Sequence, residues 1–312
     1  MTPSDPVDLS VQVGALRLQN PIITAAGTFG YGVDFAHLVD LNRLGGIVTK
    51  GLSREPIEGA PAPRLCETAS GMLNAVGLQN VGVEAFMRNK LPLLRKYNTH
   101  IIVNVFGHCL EDYVEVIRRL EEAEGISAYE LNISCPNVRK GGIQFGSNPV
   151  LVEEVVGEAR KAAAKRPLWV KLLPLVTDIA VTAKAAQAGG ADALTIANTY
   201  PAMAVDVRTG KSRIGNLTGG LSGPAIKPIT LRLVWEASRV VTIPILGLGG
   251  IETAEDVLEY IAVGSSAVQV GTASFSDPKA SERIIGGLEK ALSQAKALSF
   301  SGIRSQFLAE NG

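Results

Sequence analysis

Eight short apolar runs, spaced along most of the chain, constrain its fold more than any other feature. They cover residues 21–25, 46–50, 101–106, 129–132, 168–172, 193–196, 243–247 and 267–270. Several consist almost entirely of Val, Ile and Leu, which is typical of parallel strands covered on both faces. Amphipathic segments accompany them at 113–124, 150–165, 178–188, 230–240, 253–263 and 279–297. This alternation predicts an α/β fold, a (β/α)8 or TIM barrel, in one domain spanning residues 1–312.

Three segments depart from a minimal barrel. Residues 11–18 alternate apolar and polar around Gly14 and predict an N-terminal hairpin that closes the barrel bottom. Residues 53–79 and 199–228 are long insertions that follow strands, so we expect long loops on the C-terminal face. Ordered loops of this length usually serve function.

An open doubly wound sheet is the alternative architecture. It usually carries the glycine pattern G-x-G-x-x-G in its first strand-to-helix turn. Neither Gly27-Thr28-Phe29-Gly30-Tyr31-Gly32 nor Gly247-Leu248-Gly249-Gly250 has that spacing. The sequence therefore shows no such fingerprint for NAD at either turn.

Composition excludes several classes of protein. Of the 312 residues, 46% are hydrophobic and 19% charged, and the formal net charge of zero does not suggest a protein that binds nucleic acid. No apolar run has the length of a transmembrane helix, and the first residues do not resemble a signal peptide, so we expect a cytoplasmic protein. Three scattered cysteines and three scattered histidines predict neither a disulfide framework nor a metal site.

Glycine-bearing turns end the last two predicted strands. These are Gly247-Leu248-Gly249-Gly250 and Gly271-Thr272. In many barrels the loops after these strands bind a phosphate, because glycine lets backbone N–H groups approach an anion. Tight turns without a ligand are the alternative interpretation. The segment Gly219-Gly220-Leu221-Ser222-Gly223-Pro224 offers a third backbone contact.

Polar side chains recur where predicted strands end. They are Lys50, Asn104, Asn132, Lys171, Asn198 and Thr199, with Asn74 in the first insertion. Each of the lysines and asparagines could also be a structural residue without a ligand, as a surface lysine or a turn asparagine. Their recurrence at one face instead favours a ligand with alternating donors and acceptors, since amides donate and accept.

The stretch Glu130-Leu131-Asn132-Ile133-Ser134-Cys135-Pro136-Asn137 adds a thiol at a strand end. Cys135 has two interpretations, a buried structural cysteine or a reactive thiol. Gly141-Gly142 follow and predict a loop that admits substrate. A thiol that removes a proton beside a bound flavin fits the whole set of residues.

These motifs together resemble class 1 dihydroorotate dehydrogenase, the FMN enzyme of pyrimidine synthesis. The resemblance rests on residues 132–137, 74–80, 219–224 and 247–251, and runs in the same order from about Leu9 to about Lys290. Residues 137–146 resemble class 1B. That resemblance implies a partner subunit carrying FAD and a 2Fe–2S cluster, joined to a homodimer core in a heterotetramer, with NAD as final acceptor.

The resemblance also implies roles for individual residues. Cys135 would be the catalytic base that takes the C5 proton of dihydroorotate while C6 gives hydride to FMN. The implied substrate-binding residues are Lys50, Asn74, Ala75, Val76, Gly77, Leu78, Asn132, Asn137, Asn198 and Thr199. The implied FMN-binding residues are Ala26, Gly27, Lys50, Gly51, Asn104, Asn132, Lys171, Ala197, Gly223, Gly249, Gly250, Gly271 and Thr272. Ala26 and Ala197 depart from the commonest residues of the family, but both contacts can be made by backbone.

Other functions stay open at this point. The nearest is a class 1A homodimer that reduces fumarate directly, and a flavin barrel acting on a related ring is another. A flavin-free barrel acting on a sugar phosphate as an isomerase or lyase, and a non-catalytic binding barrel, belong to different classes.

Overall fold

The computed structural model describes residues 7–133, 139–140, 143–294 and 299–311. In chain order the strands are β1 (Val11–Val13), β2 (Leu16–Leu18), β3 (Ile22–Thr24), β4 (Gly46–Val48), β5 (Leu65–Thr68), β6 (Gly71–Asn74), β7 (His100–Val105), β8 (Ala128–Asn132), β9 (Arg139–Lys140), β10 (Ile143–Gln144), β11 (Leu168–Lys171), β12 (Ala193–Ile196), β13 (Tyr200–Ala202), β14 (Val205–Asp206), β15 (Lys211–Ser212), β16 (Gly219–Ser222), β17 (Ile245–Leu248) and β18 (Ala267–Val270).

The α-helices lie mostly between the barrel strands. They are α1 (Val83–Asn89), α2 (Leu91–Leu94), α3 (Leu110–Glu121), α4 (Pro149–Ala162), α5 (Ile179–Ala188), α6 (Lys227–Ser238), α7 (Ala254–Val263), α8 (Ala273–Ser276), α9 (Ala280–Gln294) and α10 (Phe300–Asn311). Short 3-10 helices lie at Val33–Phe35, Leu41–Arg43, Phe145–Ser147 and Pro224–Ile226. In the described ranges, no helix has both the length and the apolar character needed to cross a membrane.

Eight parallel strands close into a barrel and confirm the predicted fold. Their order around the ring is β3, β4, β7, β8, β11, β12, β17 and β18, which is also their order along the chain. β3, β4, β8, β11, β12 and β18 are buried at every residue. This burial explains their continuous apolar sequences, because helices cover the outer face of the barrel and side chains fill the inside.

The inside of the barrel changes from apolar to polar along the strand direction. One cluster joins one residue of every barrel strand, including Val48, Ile102 and Trp169, to Val13 and Leu18 of the N-terminal hairpin. The predicted hairpin at the barrel bottom is thus confirmed. Side chains two residues further along a strand point to the same side. In five strands this next position holds a polar residue, namely Asn104, Glu130, Lys171, Thr195 and Gln269.

The two long insertions meet each other above the barrel mouth. β5 and β6 come from the first, β13 and β16 from the second, and they form one four-stranded sheet in the order β13, β16, β6, β5. Asn74 pairs with Gly220 and with Leu65 in this sheet. Both insertions follow the C-terminal ends of barrel strands, as predicted, but the sheet they share was not predicted.

Element boundaries differ from the sequence-based ones where local chemistry fixes the first turn. Helix α4 begins at Pro149, because the Asn148 side chain accepts hydrogen bonds from the backbone N–H groups of Val150 and Leu151. Helix α6 begins at Lys227 with a proline in its first turn. Helices α1, α2, α8 and α10 were not predicted, and residues 295–298 of the predicted last helix lie outside the described ranges.

Candidate active site

Glycine turns from three different loops converge at one side of the barrel mouth. A Cβ added to Gly250 would lie 2.8 Å from the carbonyl oxygen of Gly223, and a Cβ on Gly223 would lie 3.5 Å from Cγ2 of Thr272. Gly223, Gly249 and Gly250 all have positive φ, of 95°, 150° and 67°. The Thr272 hydroxyl donates to Oγ of Ser222 over 2.8 Å. The predicted phosphate turns therefore form one backbone cradle, which suits an anion.

The first and last strands of the barrel meet beside this cradle. A Cβ on Gly271 would lie 3.6 Å from Cβ of Ala25, while a Cβ on Gly27 would meet no atom within 4 Å. The backbone N–H of Ala25 donates to the carbonyl oxygen of Val270 over 2.9 Å. Ala26 and Gly27 thus border open space next to the cradle, where a bound group has room.

Three of the predicted substrate residues come together around Gly220. The Asn74 side-chain amide donates to the Gly220 carbonyl oxygen over 2.9 Å. A Cβ on Gly220 would lie 2.1 Å from Oγ1 of Thr199, whose own backbone N–H donates to Oδ1 of Asn198 over 2.8 Å. Glycine is required here because the Thr199 hydroxyl occupies the position of a side chain.

Lys50 lies at the end of β4 and faces a second cation. Its Nζ donates to Oε1 of Gln79 over 3.4 Å, and the same oxygen accepts from Nη1 of Arg64 over 2.9 Å. Burial lowers the pKa of the Lys50 ammonium, the nearby Arg64 guanidinium lowers it further, and Asp34 opposes both effects. Two cations that share one neutral acceptor create a position suited to a carboxylate.

The turn at residues 74–78 connects this cation pair to the amide group. Gly77 has φ of 73° and Leu78 has φ of 57°, so two consecutive residues take the left-handed conformation. Ala75 N–H donates to the Arg64 carbonyl oxygen over 2.8 Å, and the Val76 carbonyl oxygen accepts from Ala60 N–H over 3.0 Å. The predicted segment is therefore held in place by its own backbone.

Lys171 and Asn104 lie deeper in the mouth. Lys171 is 4% exposed and pairs in register with Asn132 and Thr195 on the neighbouring strands. Burial lowers the pKa of Lys171, and the Glu130 carboxylate acts in the opposite direction. Asn104 donates from Nδ2 to Glu130 over 2.7 Å, while its Oδ1 is buried without a hydrogen-bond partner in the structure.

The remaining predicted cofactor residues lie at the ends of strands that neighbour β7 and β11. A Cβ on Gly51 would lie 2.7 Å from Oδ1 of Asn104. Ala197 is buried, and its backbone N–H donates to the Leu248 carbonyl oxygen over 3.1 Å. The carbonyl oxygen of Asn132 accepts from the Tyr113 hydroxyl over 3.1 Å. The inner part of the mouth thus contains the buried Lys171 and the buried Asn104 Oδ1, which accepts no hydrogen bond from the described residues.

Cys135 and Asn137, together with the loop glycines Gly141 and Gly142, lie outside the described residues. Their roles stay predictions. The other two cysteines stand apart from the site: Cys66 is buried in the four-stranded sheet, and Cys109 is exposed at the start of α3. Among the described residues, no group of three or more His, Cys, Asp and Glu side chains is arranged to hold a metal ion.

Several polar residues of the site were not singled out from the sequence. They are Glu130, Thr195 and Gln269 inside the barrel, and Arg64 and Gln79 beside Lys50. The first three carry a sequence signal, because each is a polar residue on the inward side of an otherwise apolar strand. Glu130 and Asn132 even share that side by the two-residue period of a strand.

A family model described as dihydroorotate dehydrogenase matches residues 8–292. The chain belongs to the dihydroorotate dehydrogenase family. This finding confirms the predicted family and, with it, the predicted class of enzyme, an oxidoreductase.

Named relatives match over nearly their full lengths. A protein of Pelobacter propionicus is 53% identical over 92% of this chain and 94% of its own, and one of Thermodesulfovibrio yellowstonii is 51% identical over 91% and 93%. Both are named dihydroorotate dehydrogenase B (NAD(+)), catalytic subunit. A protein of Solibacter usitatus, 54% identical over 94% of each chain, carries the provisional name dihydroorotate dehydrogenase A (fumarate).

Proposed function

We propose that this chain is the catalytic subunit of an NAD-linked dihydroorotate dehydrogenase of the cytoplasm. It oxidises (S)-dihydroorotate to orotate, a step of pyrimidine (UMP) synthesis. The observation that carries this proposal is one barrel mouth that combines a backbone cradle, a buried lysine and a ring of amides, in a chain of this family.

The described residues fit FMN as the cofactor. The cradle of Gly223, Gly249 and Gly250 would hold its phosphate. The buried Oδ1 of Asn104 accepts no hydrogen bond from any of the described residues, so it would be available to a donor of the cofactor. FMN, when bound, supplies the chemistry of accepting hydride from carbon. Lys171 would hold a positive charge beside the ring, which favours the electron-rich reduced form.

Dihydroorotate carries a carboxylate and a cyclic imide, and the other half of the mouth suits both. Lys50 would bind the carboxylate, because it already shares a neutral acceptor with the Arg64 cation. Asn74, Asn198 and Thr199 present amides and a hydroxyl that can pair with the alternating C=O and N–H groups of the ring. These side chains would orient the substrate with C5 and C6 toward the reactive groups.

Cys135 would act as the general base for the C5 proton. A free thiol has a pKa of about 8.5, so turnover is expected to rise with pH as the thiolate forms. We expect Cys135→Ala to retain bound flavin and lose most of its turnover at neutral pH, since proton transfer to a positioned base contributes about 10²–10⁴-fold. Cys135→Ser is expected to keep flavin and gain activity at high pH. Near-normal turnover in Cys135→Ala would remove Cys135 from this role.

The two kinds of enzyme named among the relatives differ in their electron acceptor, which is NAD(+) in one name and fumarate in the other. Without an NAD fingerprint of its own, this chain is proposed to pass electrons to a partner subunit with FAD and a 2Fe–2S cluster, two copies of each forming a heterotetramer. Purification of the chain alone and with the partner tests this, by assaying orotate formation with fumarate and with NAD. Turnover of the isolated chain with fumarate, and none with NAD plus partner, would favour the fumarate-linked enzyme named in the Solibacter relative.

A further inference from the structure

Glu130 lies at the centre of a hydrogen-bond network in the barrel, directly below the mouth. Its side chain is fully buried. Oε1 accepts from Nδ2 of Asn104 over 2.7 Å, and Oε2 accepts from Oγ1 of Thr195 over 2.8 Å and from Nε2 of Gln269 over 2.5 Å. The three donors come from β7, β12 and β18, so one carboxylate connects strands on opposite sides of the barrel.

The charge of Glu130 decides how its neighbours are oriented. An ionised carboxylate only accepts hydrogen bonds, so each amide must turn its NH₂ group toward it. The amide oxygens must then face away, and Asn104 Oδ1 and Gln269 Oε1 are both buried without a partner in the structure. A buried acceptor left unsatisfied costs about 1–3 kcal/mol, and a bound group that donates an N–H removes this cost.

Lys171 is a buried basic residue on β11, the strand next to the one that carries this carboxylate. Its ammonium is buried, and Glu130 is the charged group that acts on it across the β8–β11 pair. The polar groups facing this pair from the adjoining strands are Asn104, Asn132, Thr195 and Gln269, all uncharged. A buried ammonium without a carboxylate loses its proton readily, because burial favours the neutral form.

We propose that Glu130 is a positioning residue for the flavin reaction, which keeps Lys171 charged and fixes the Asn104 amide with its oxygen toward the cofactor. This inference rests on the proposed FMN site. It assigns Glu130 a function that depends on its charge and is separate from packing.

The test is Glu130→Gln, which keeps the shape and removes the charge. We expect Lys171 in this variant to be neutral while the flavin is oxidised and to take up a proton when the flavin is reduced. Electrons come from an electrode through mediator dyes, and the midpoint potential of bound FMN is followed spectroscopically from about pH 6 to about pH 9. One additional proton per two electrons is a ten-fold change in equilibrium constant per pH unit, so the potential is expected to fall about 30 mV per pH unit more steeply than in the wild type.

Glu121→Gln is the matched control. Glu121 is also a buried carboxylate of this barrel, but it accepts from the Tyr129 hydroxyl and from Lys165 N–H, away from the mouth. Its variant is expected to lose stability and to keep the wild-type dependence of potential on pH. A double variant, Glu130→Gln with Lys171→Met, is expected to return to the wild-type slope, because the group that takes up the proton is gone.

The outcomes distinguish this inference from the proposed function. A wild-type protein that binds no FMN contradicts the cofactor proposal itself. Bound FMN in Glu130→Gln with an unchanged slope overturns the role of Glu130 alone. If Glu130→Gln does not fold, the double variant decides. Its recovery as folded protein supports an electrostatic coupling of Glu130 and Lys171, since removing both charges costs less stability than leaving one buried charge uncompensated, and its failure to fold overturns that coupling.

Discussion

The side-chain amide of Asn74 donates a hydrogen bond to the carbonyl oxygen of Gly220, and the two residues are separated by 146 positions along the chain. Each belongs to a different insertion, and the bond lies within the sheet that the insertions share. The sheet above the barrel therefore positions Asn74 beside Gly220, and through Gly223, which directly follows β16, it also contributes to the proposed phosphate cradle.

Crowding Gly220 is expected to impair substrate binding without affecting flavin. In Gly220→Ala the new methyl group would meet Oγ1 of Thr199 at 2.1 Å and Nδ2 of Asn74 at 3.4 Å. The methyl group would therefore displace the Thr199 hydroxyl, and a misplacement of about 1 Å at a substrate-positioning group is expected to lower kcat/KM about 100-fold. Gly286→Ala, where a Cβ has nothing within 4 Å, is the control and is expected to keep wild-type kinetics. Equal kinetics in the two variants would contradict the assignment.

The phosphate cradle is tested by two glycines that have the same backbone angle φ. Gly250 and Gly210 both have φ of 67°, so alanine costs each about 1–2 kcal/mol of strain. Only at Gly250 does a Cβ enter the cradle, 2.8 Å from the Gly223 carbonyl oxygen, whereas Gly210 faces open space. Measured by flavin fluorescence during titration, Gly250→Ala is expected to bind FMN at least ten-fold more weakly, and Gly210→Ala to bind it normally. Comparable affinities would place the phosphate elsewhere.

The pKa of Lys50 predicts how substrate affinity depends on pH. Burial and Arg64 lower this pKa, so the ammonium is lost as pH rises, at a lower pH than for an ordinary lysine. KM for dihydroorotate is then expected to increase on the alkaline side. Arg64→Gln removes one cause of the lowering and is expected to move this increase to higher pH. Asp34→Asn removes the opposing carboxylate and is expected to move it to lower pH. Shifts in the same direction would exclude the electrostatic explanation.

The barrel bottom contains a buried ion pair that stabilises the fold and lies apart from the chemistry. Arg166 and Glu121 have side chains only 14% and 10% exposed, with Nη1 and Oε1 3.2 Å apart. Arg166→Met leaves the carboxylate without its cation and is expected to lower the free energy of unfolding by about 3–5 kcal/mol. Urea denaturation measures this, with Arg208→Met as the control, because Arg208 is 88% exposed. Folded Arg166→Met is expected to retain wild-type turnover.

The barrel was predictable because its strands carry a strong local signal. Runs such as Leu168–Lys171 and Ala193–Ile196 are buried throughout, and a continuous apolar sequence reports that burial directly. The glycine turns were predictable for a similar reason, since positive φ and close approach both select glycine. The positions of Lys50, Asn104 and Lys171 followed from their places at strand ends.

The shared sheet and the network around Glu130 were not predictable in the same way. β6 and β16 become strands only because they pair with each other across the mouth, and neither has a long alternating pattern. Glu130 is identified as a network centre only when β7, β12 and β18 are brought to the same ring. Both features depend on contacts between segments far apart in sequence.

The sheet above the mouth has a consequence for the order of folding. Joining segments near Asn74 and Gly220 closes a very long loop, and the entropy of that closure is recovered only after the barrel has brought their attachment points together. The barrel is therefore expected to form before the sheet. A newly made chain would acquire the contacts of its barrel strand ends first and those that need the sheet, at Asn74 and Gly223, last, so a half-folded enzyme would lack both part of its phosphate cradle and part of its substrate site.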